Sequence, residues 1–133
     1  MLVMTLLGIA LAGALGTLCR YAMTGWIQRW LGPAFPWGTL SVNLVGCLLL
    51  GLLLELARQT GWVPAEFRTI AGVGFLGGFT TFSTFGVETI RAVESGDWMS
   101  GGLNILFNVV GGLVLVAVGI GLARWLVELR SGL

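Results

Sequence analysis

GFLGGFTTFSTF, residues 74–85, lies inside an apolar run long enough to cross a membrane, yet it is a poor recipe for a helix. A glycine weakens a helix interior by about 1 kcal/mol relative to alanine, and hydroxyl side chains compete for the backbone's own hydrogen bonds. Gly77-Gly78 is therefore expected to interrupt the helix at mid-membrane and free backbone carbonyls. Irregular backbone survives at that depth only when it is buried in protein or lines a cavity. Freed carbonyls can coordinate a cation, as the discontinuous helices of transporters do. Beyond the break, Phe82 and Phe85 are one turn apart and project together. Ring edges are electropositive and can solvate an anion weakly, and Thr80, Thr81, Ser83 and Thr84 surround them with hydroxyl donors.

Outward from this stretch the chain reads as a polytopic membrane protein. Of its 133 residues 56% are hydrophobic and 10% charged, with mean hydropathy +0.96, where a soluble domain carries about 25% charged residues. Four stretches reach the ~20 apolar residues that a span needs: about 2–31, 38–56, 65–93 and 98–126. They form one transmembrane domain of all-α class, with the third helix broken at mid-membrane. The first run lacks the basic flank of a secretory signal and is expected to be a retained span. Trp26, Trp30, Trp37, Trp62, Trp98 and Trp125 fall near span ends, where amphipathic rings anchor at the interface. Ala12 and Gly16, with Gly46, Gly51, Gly111 and Gly112, offer small surfaces for close helix packing.

Charge excludes several functions. No basic patch exists for nucleic acid. Histidine and lysine are absent, and no nucleophile–base pair is visible, so an enzyme is not expected. Cys19 and Cys47 read as small buried apolar residues. The arginines divide weakly between the two faces: Arg58, Arg68, Arg124 and Arg130 against Arg29 and Arg91, with Arg20 set inside the first span. So slight a bias leaves insertion in either orientation open, and with it an antiparallel homodimer. Four thin helices also enclose little interior.

Polar residues inside spans mark pathways or assembly contacts. Arg20 reads either as a structural group on backbone carbonyls or as a fixed charge drawing anions to a vestibule. Thr39 and Asn43 share a face of the second span at i, i+4, and Asn104 and Asn108 repeat the spacing on the fourth. Three amides and an arginine without facing acids suit an anion path, although interhelical bonding explains each amide taken alone. Glu55, Glu66, Glu94, Asp97 and Glu128 are expected to be solvated. Glu88 stands apart, because it follows Phe85 by one turn on the same face.

GALGTLCRY (13–21), FPWGTLSVNLVG (35–46) and GFLGGFTTFSTF together resemble the first, second and broken third helices of the small prokaryotic fluoride channels called Fluc or CrcB. The resemblance implies a dual-topology antiparallel homodimer in the inner membrane. It would export fluoride passively through two pores, relieving fluoride toxicity, with a central structural Na+. It places Na+ on the carbonyls of Gly77 and Thr80, fluoride beside Asn43, Phe82 and Phe85, and a vestibule charge on Arg20. Thr81, Ser83, Thr84 and Glu88 would lie on or beside the polar track, and Asn104 and Asn108 would substitute as fourth-helix donors. The competing readings are a small multidrug exporter, which relies on a glutamate that the first span lacks, and a non-transporting membrane scaffold.

Overall fold

The computed structural model describes residues 2–132. Helix α1 spans Leu2–Leu31 and α2 spans Trp37–Gln59. The third span, Ala65–Glu94, is divided into α3 (65–79) and α4 (Phe82–Glu94), and the fourth span is α5 (Trp98–Ser131). All four spans are long and apolar enough to cross a membrane. Two stretches, Ile70–Leu76 in α3 and Phe107–Gly111 in α5, widen to the looser i→i+5 pitch, a feature that recurs at functional sites. Neither was legible in the hydrophobic pattern.

The surface is inverted relative to a soluble protein. Large apolar side chains such as Leu11, Leu18 and Leu113 point outward, whereas the interior holds Thr39, Thr81, Thr89, Asn104 and Glu55. In lipid this order is favourable, since polar groups must find protein partners.

The halves of the third span have different neighbours: α3 packs along α1, and α4 packs on the first part of α5. Meanwhile α2 runs along the second part of α5. The glycines expected to break the helix serve the first of these contacts. Gly77 remains helical, with φ −63° and ψ −39°. At Gly78 a side chain would sit 2.5 Å from the carbonyl oxygen of Gly13, and a side chain at Gly16 would overlap the carbonyl of Phe75. Small residues here let two backbones touch where no hydrophobic force drives helices together.

The break itself lies at Thr80-Thr81, both extended, at φ −89°, ψ 160° and φ −150°, ψ 108°. This corrects the assignment to Gly77-Gly78, and the cause is tertiary: α2 supplies Asn43 to hold the extended backbone.

Glu55 also departs from expectation. It is buried near the end of α2 and accepts from Arg58 (2.7 and 2.8 Å), Gln59 (2.7 Å) and Arg124 of α5 (2.8 Å). The i+3 and i+4 spacing of Arg58 and Gln59 was a signal for this cluster, but Arg124 was not.

Candidate functional site

The site is organised by the break. Thr80 N–H is the last donor to bond back into α3, to Leu76 O at 3.0 Å. Thr81 N–H turns instead to Asn43 Oδ1 at 2.8 Å, while Asn43 Nδ2 donates to Thr81 O at 3.2 Å. One amide thus replaces both bonds that a continuous helix would give Thr81. The carbonyl of Gly77 thereby loses its i+4 partner. Thr80 O accepts from Arg20 Nη1 at 3.1 Å. Gly46 on α2 makes room, since a Cβ there would overlap the Thr80 methyl.

Two half-helix ends of opposite polarity therefore meet at this level. The C-terminus of α3 presents carbonyls and favours cations; the N-terminus of α4 presents N–H groups and favours anions. Thr81 caps α4, its Oγ1 accepting from Thr84 N–H at 3.3 Å. The Thr81 hydroxyl also shares hydrogens with Thr84 Oγ1 (2.9 Å) and Ser83 Oγ (3.4 Å).

A cavity adjoins the site on each side. The first, about 420 Å³, is bordered by Arg20 and Arg29 together with the hydroxyls of Thr39, Thr81 and Thr84. The second, about 450 Å³, is mainly apolar; Phe82, Phe85, Asn43, Asn108, Gly77 and Thr80 border it. Phe82 and Phe85 meet edge to face, with centroids 5.3 Å apart. Phe85 is buried, whereas Phe82 is 80% exposed.

The structure therefore gathers Arg20, Asn43, Thr80, Thr81, Thr84, Phe82, Phe85 and Asn108 around the break. Ser83 borders neither cavity, and nor does Asn104, which is 1% exposed. Glu88 lies beside the first cavity through Thr39, whose Oγ1 donates to Glu88 Oε1 at 2.8 Å; its Oε2 is buried without a hydrogen-bond partner. Both N–H groups of Asn43 are engaged, one on Thr81 O and one on Asn108 Oδ1 at 2.9 Å. Arg29 and Thr39 join the site without a sequence signal of their own beyond Thr39 sharing the Asn43 face.

The carbonyl set suits a hard, oxygen-seeking cation. Gly77 O has lost its helical donor, and Thr80 O keeps a second lone pair beside its bond to Arg20. No cluster of three or more His, Cys, Asp or Glu side chains suited to a metal occurs among the described residues.

Residues 7–120 match the family described as CrcB-like protein, Camphor Resistance (CrcB). A protein of Syntrophotalea carbinolica named fluoride-specific ion channel FluC is 49% identical over 123 residues, covering 92% of this chain and 100% of its own. The protein of that name from Geobacter metallireducens is 46% identical over 123 residues (92% and 99%). That from Geobacter sulfurreducens is 47% identical over 122 residues (92% and 98%).

Proposed function

The chain belongs to the CrcB family, and from that membership we propose that it is a fluoride-selective channel of the prokaryotic inner membrane, working as an antiparallel homodimer with two pores and relieving fluoride toxicity by passive export. The observation that carries the reading is the break at Thr80-Thr81, set between an arginine-and-hydroxyl cavity and an aromatic one.

Arg20 and Arg29 raise the local anion concentration, an effect that low-dielectric walls strengthen. Hydroxyls of Thr81 and Thr84 replace part of the hydration shell, helped by the N-terminal end of α4, whereas the Thr39 hydroxyl is already given to Glu88 Oε1. The ring edges of Phe82 and Phe85 then offer weak positive charge, enough to pass an anion without trapping it. An anion reaching Asn43 must exchange with Thr81 O or Asn108 Oδ1 for an N–H. The exposed Phe82 is explained if a second copy covers it and completes the path.

Gly77 and Thr80 carbonyls would hold Na+, and a second copy would double the oxygen set. The ion would supply fixed positive charge that joins two broken helices. Its role is structural.

Proteoliposomes loaded with fluoride or chloride test the function: efflux of fluoride should far exceed that of chloride, and a fluoride leak no faster than from empty liposomes refutes it. Exchange of sodium for a bulky organic cation should weaken the dimer or stop flux; indifference removes the ion from the scheme. Accessibility of single cysteines from both sides of the membrane tests dual topology.

A further inference from the structure

The chain contains three asparagines, Asn43, Asn104 and Asn108, and all three stand in one file of hydrogen bonds crossing α2, α5 and α4. Thr81 N–H donates to Asn43 Oδ1 (2.8 Å), and Asn43 Nδ2 donates to Asn108 Oδ1 (2.9 Å). Asn108 Nδ2 donates to Asn104 Oδ1 (2.9 Å), and Asn104 Nδ2 to Thr89 Oγ1 (2.9 Å). Thr89 Oγ1 closes the file on Phe85 O (2.8 Å).

The file has a direction. A backbone N–H at its head can only donate, and a backbone carbonyl at its tail can only accept. Within each amide the nitrogen donates and the oxygen accepts. No amide can turn over without setting donor against donor or acceptor against acceptor, at a cost that is high away from water. The wide turn at Phe107–Gly111 contributes, since Asn108 Nδ2 also donates to the Asn104 carbonyl at 3.0 Å. Both N–H groups of Asn108 are therefore spent within its own helix.

Thr89 and Asn104 are buried, at 6% and 1% exposure, and border neither cavity. They are out of reach of a permeating anion. Yet they fix the rotation of Asn108, and Asn108 fixes that of Asn43, the group that holds the break open. We infer that Thr89 and Asn104 are positioning residues, which act through Asn108 to aim the Asn43 amide at the Thr81 backbone. The inference rests on the channel reading only in placing Asn43 beside the anion path. It assigns Asn104 to alignment, where the family resemblance implied a fourth-helix donor. Preorganisation of a site by packed hydrogen-bonded partners is how such precision is held.

The test uses full-length protein labelled with 15N at asparagine alone, so that three side-chain NH2 groups report. In wild type, without fluoride, all three should exchange slowly with D2O; fast exchange at Asn104 overturns the file. Thr89→Val removes the hydroxyl and keeps the shape. It should move the Asn43 NH2 signal and slow fluoride efflux about fivefold, the effect of one interhelical hydrogen bond in a membrane. Thr89→Ser should restore both. An unmoved Asn43 signal in T89V, wild-type efflux in T89V, or equal impairment in T89S overturns the proposal. If wild type itself passes no fluoride, the channel reading fails, while the NMR measurements still decide the file.

Discussion

Replacing Asn43 by leucine probes the central claim that one amide holds the helix open. The substitution keeps the branching at Cγ, although leucine is bulkier, and removes the acceptor for Thr81 N–H (2.8 Å) and the donors to Thr81 O (3.2 Å) and Asn108 Oδ1 (2.9 Å). Thr81 is buried at 9% exposure, so its two backbone groups have little recourse to solvent. Each buried group left unpaired costs about 1–3 kcal/mol, and the pair therefore costs about 2–6 kcal/mol. Because Thr81 borders the 420 Å³ cavity, water can reach one side of it, which places the expected loss near the lower figure, about 2 kcal/mol. The N43L protein should unfold in detergent at a lower denaturant midpoint, and in proteoliposomes its fluoride efflux should fall more than tenfold. Asn43→Asp keeps an acceptor for Thr81 N–H but turns its second oxygen on Thr81 O and Asn108 Oδ1, acceptor against acceptor. Its stability should fall at least as far as that of N43L, with flux at least as low. If N43L matched wild type in both assays, Asn43 would not hold the break and the pore would lie elsewhere.

Further outcomes follow from burial and spacing. Phe82→Ala should cut fluoride flux and weaken the dimer, since the ring is exposed on the single chain and a second copy would cover it, whereas Phe85→Ala should lower the stability of the chain itself by about 3–5 kcal/mol as a buried aromatic; an F85A protein that melts like wild type would contradict this packing. Gly78→Ala drives a methyl against the Gly13 carbonyl and should lower the melting temperature clearly, whereas Gly121→Ala, with open space around it, should be neutral or stabilising by about 1 kcal/mol; thermal unfolding in detergent checks both. Asp97 caps α5, its Oδ1 accepting from Ser100 N–H at 3.0 Å, and hydrogen bonding from the Ser100 side chain first and from this N–H second holds its carboxyl below the usual range. A lowered folded pKa means the contribution is complete above about pH 4 and is lost as pH falls through the folded value. Asp97→Ala should therefore melt below wild type at pH 7, with the gap closing under acid, while Asp97→Asn keeps the cap.

The glycine-rich stretch shows how far local reading reached. Its composition located the interruption to within a few residues, because glycines and hydroxyls weaken any helix they enter. It did not identify which residues leave the helix. That choice depended on α2, which brings Asn43 against Thr81, and on α1, which uses Gly78 for contact instead. Asn104 and Asn108 were visible as intramembrane amides on one face, but whether their N–H groups were free depended on Thr89, Asn43 and the wide turn at Phe107–Gly111. Glu55 looked like a solvated end-of-span acid until Arg124, 69 residues away, closed over it.

By itself the sequence determined that this is a membrane protein of four spans, one interrupted, with polar residues that lipid would not tolerate unpartnered. These follow from single-segment thermodynamics: each span's transfer into hydrocarbon and each helix's backbone propensity are summed along the chain. The tertiary structure alone decided where the helix opens, which carbonyls lose their donors, and which side chains are already spent on one another. A hydrogen bond needs two groups, and here the second group comes from another helix.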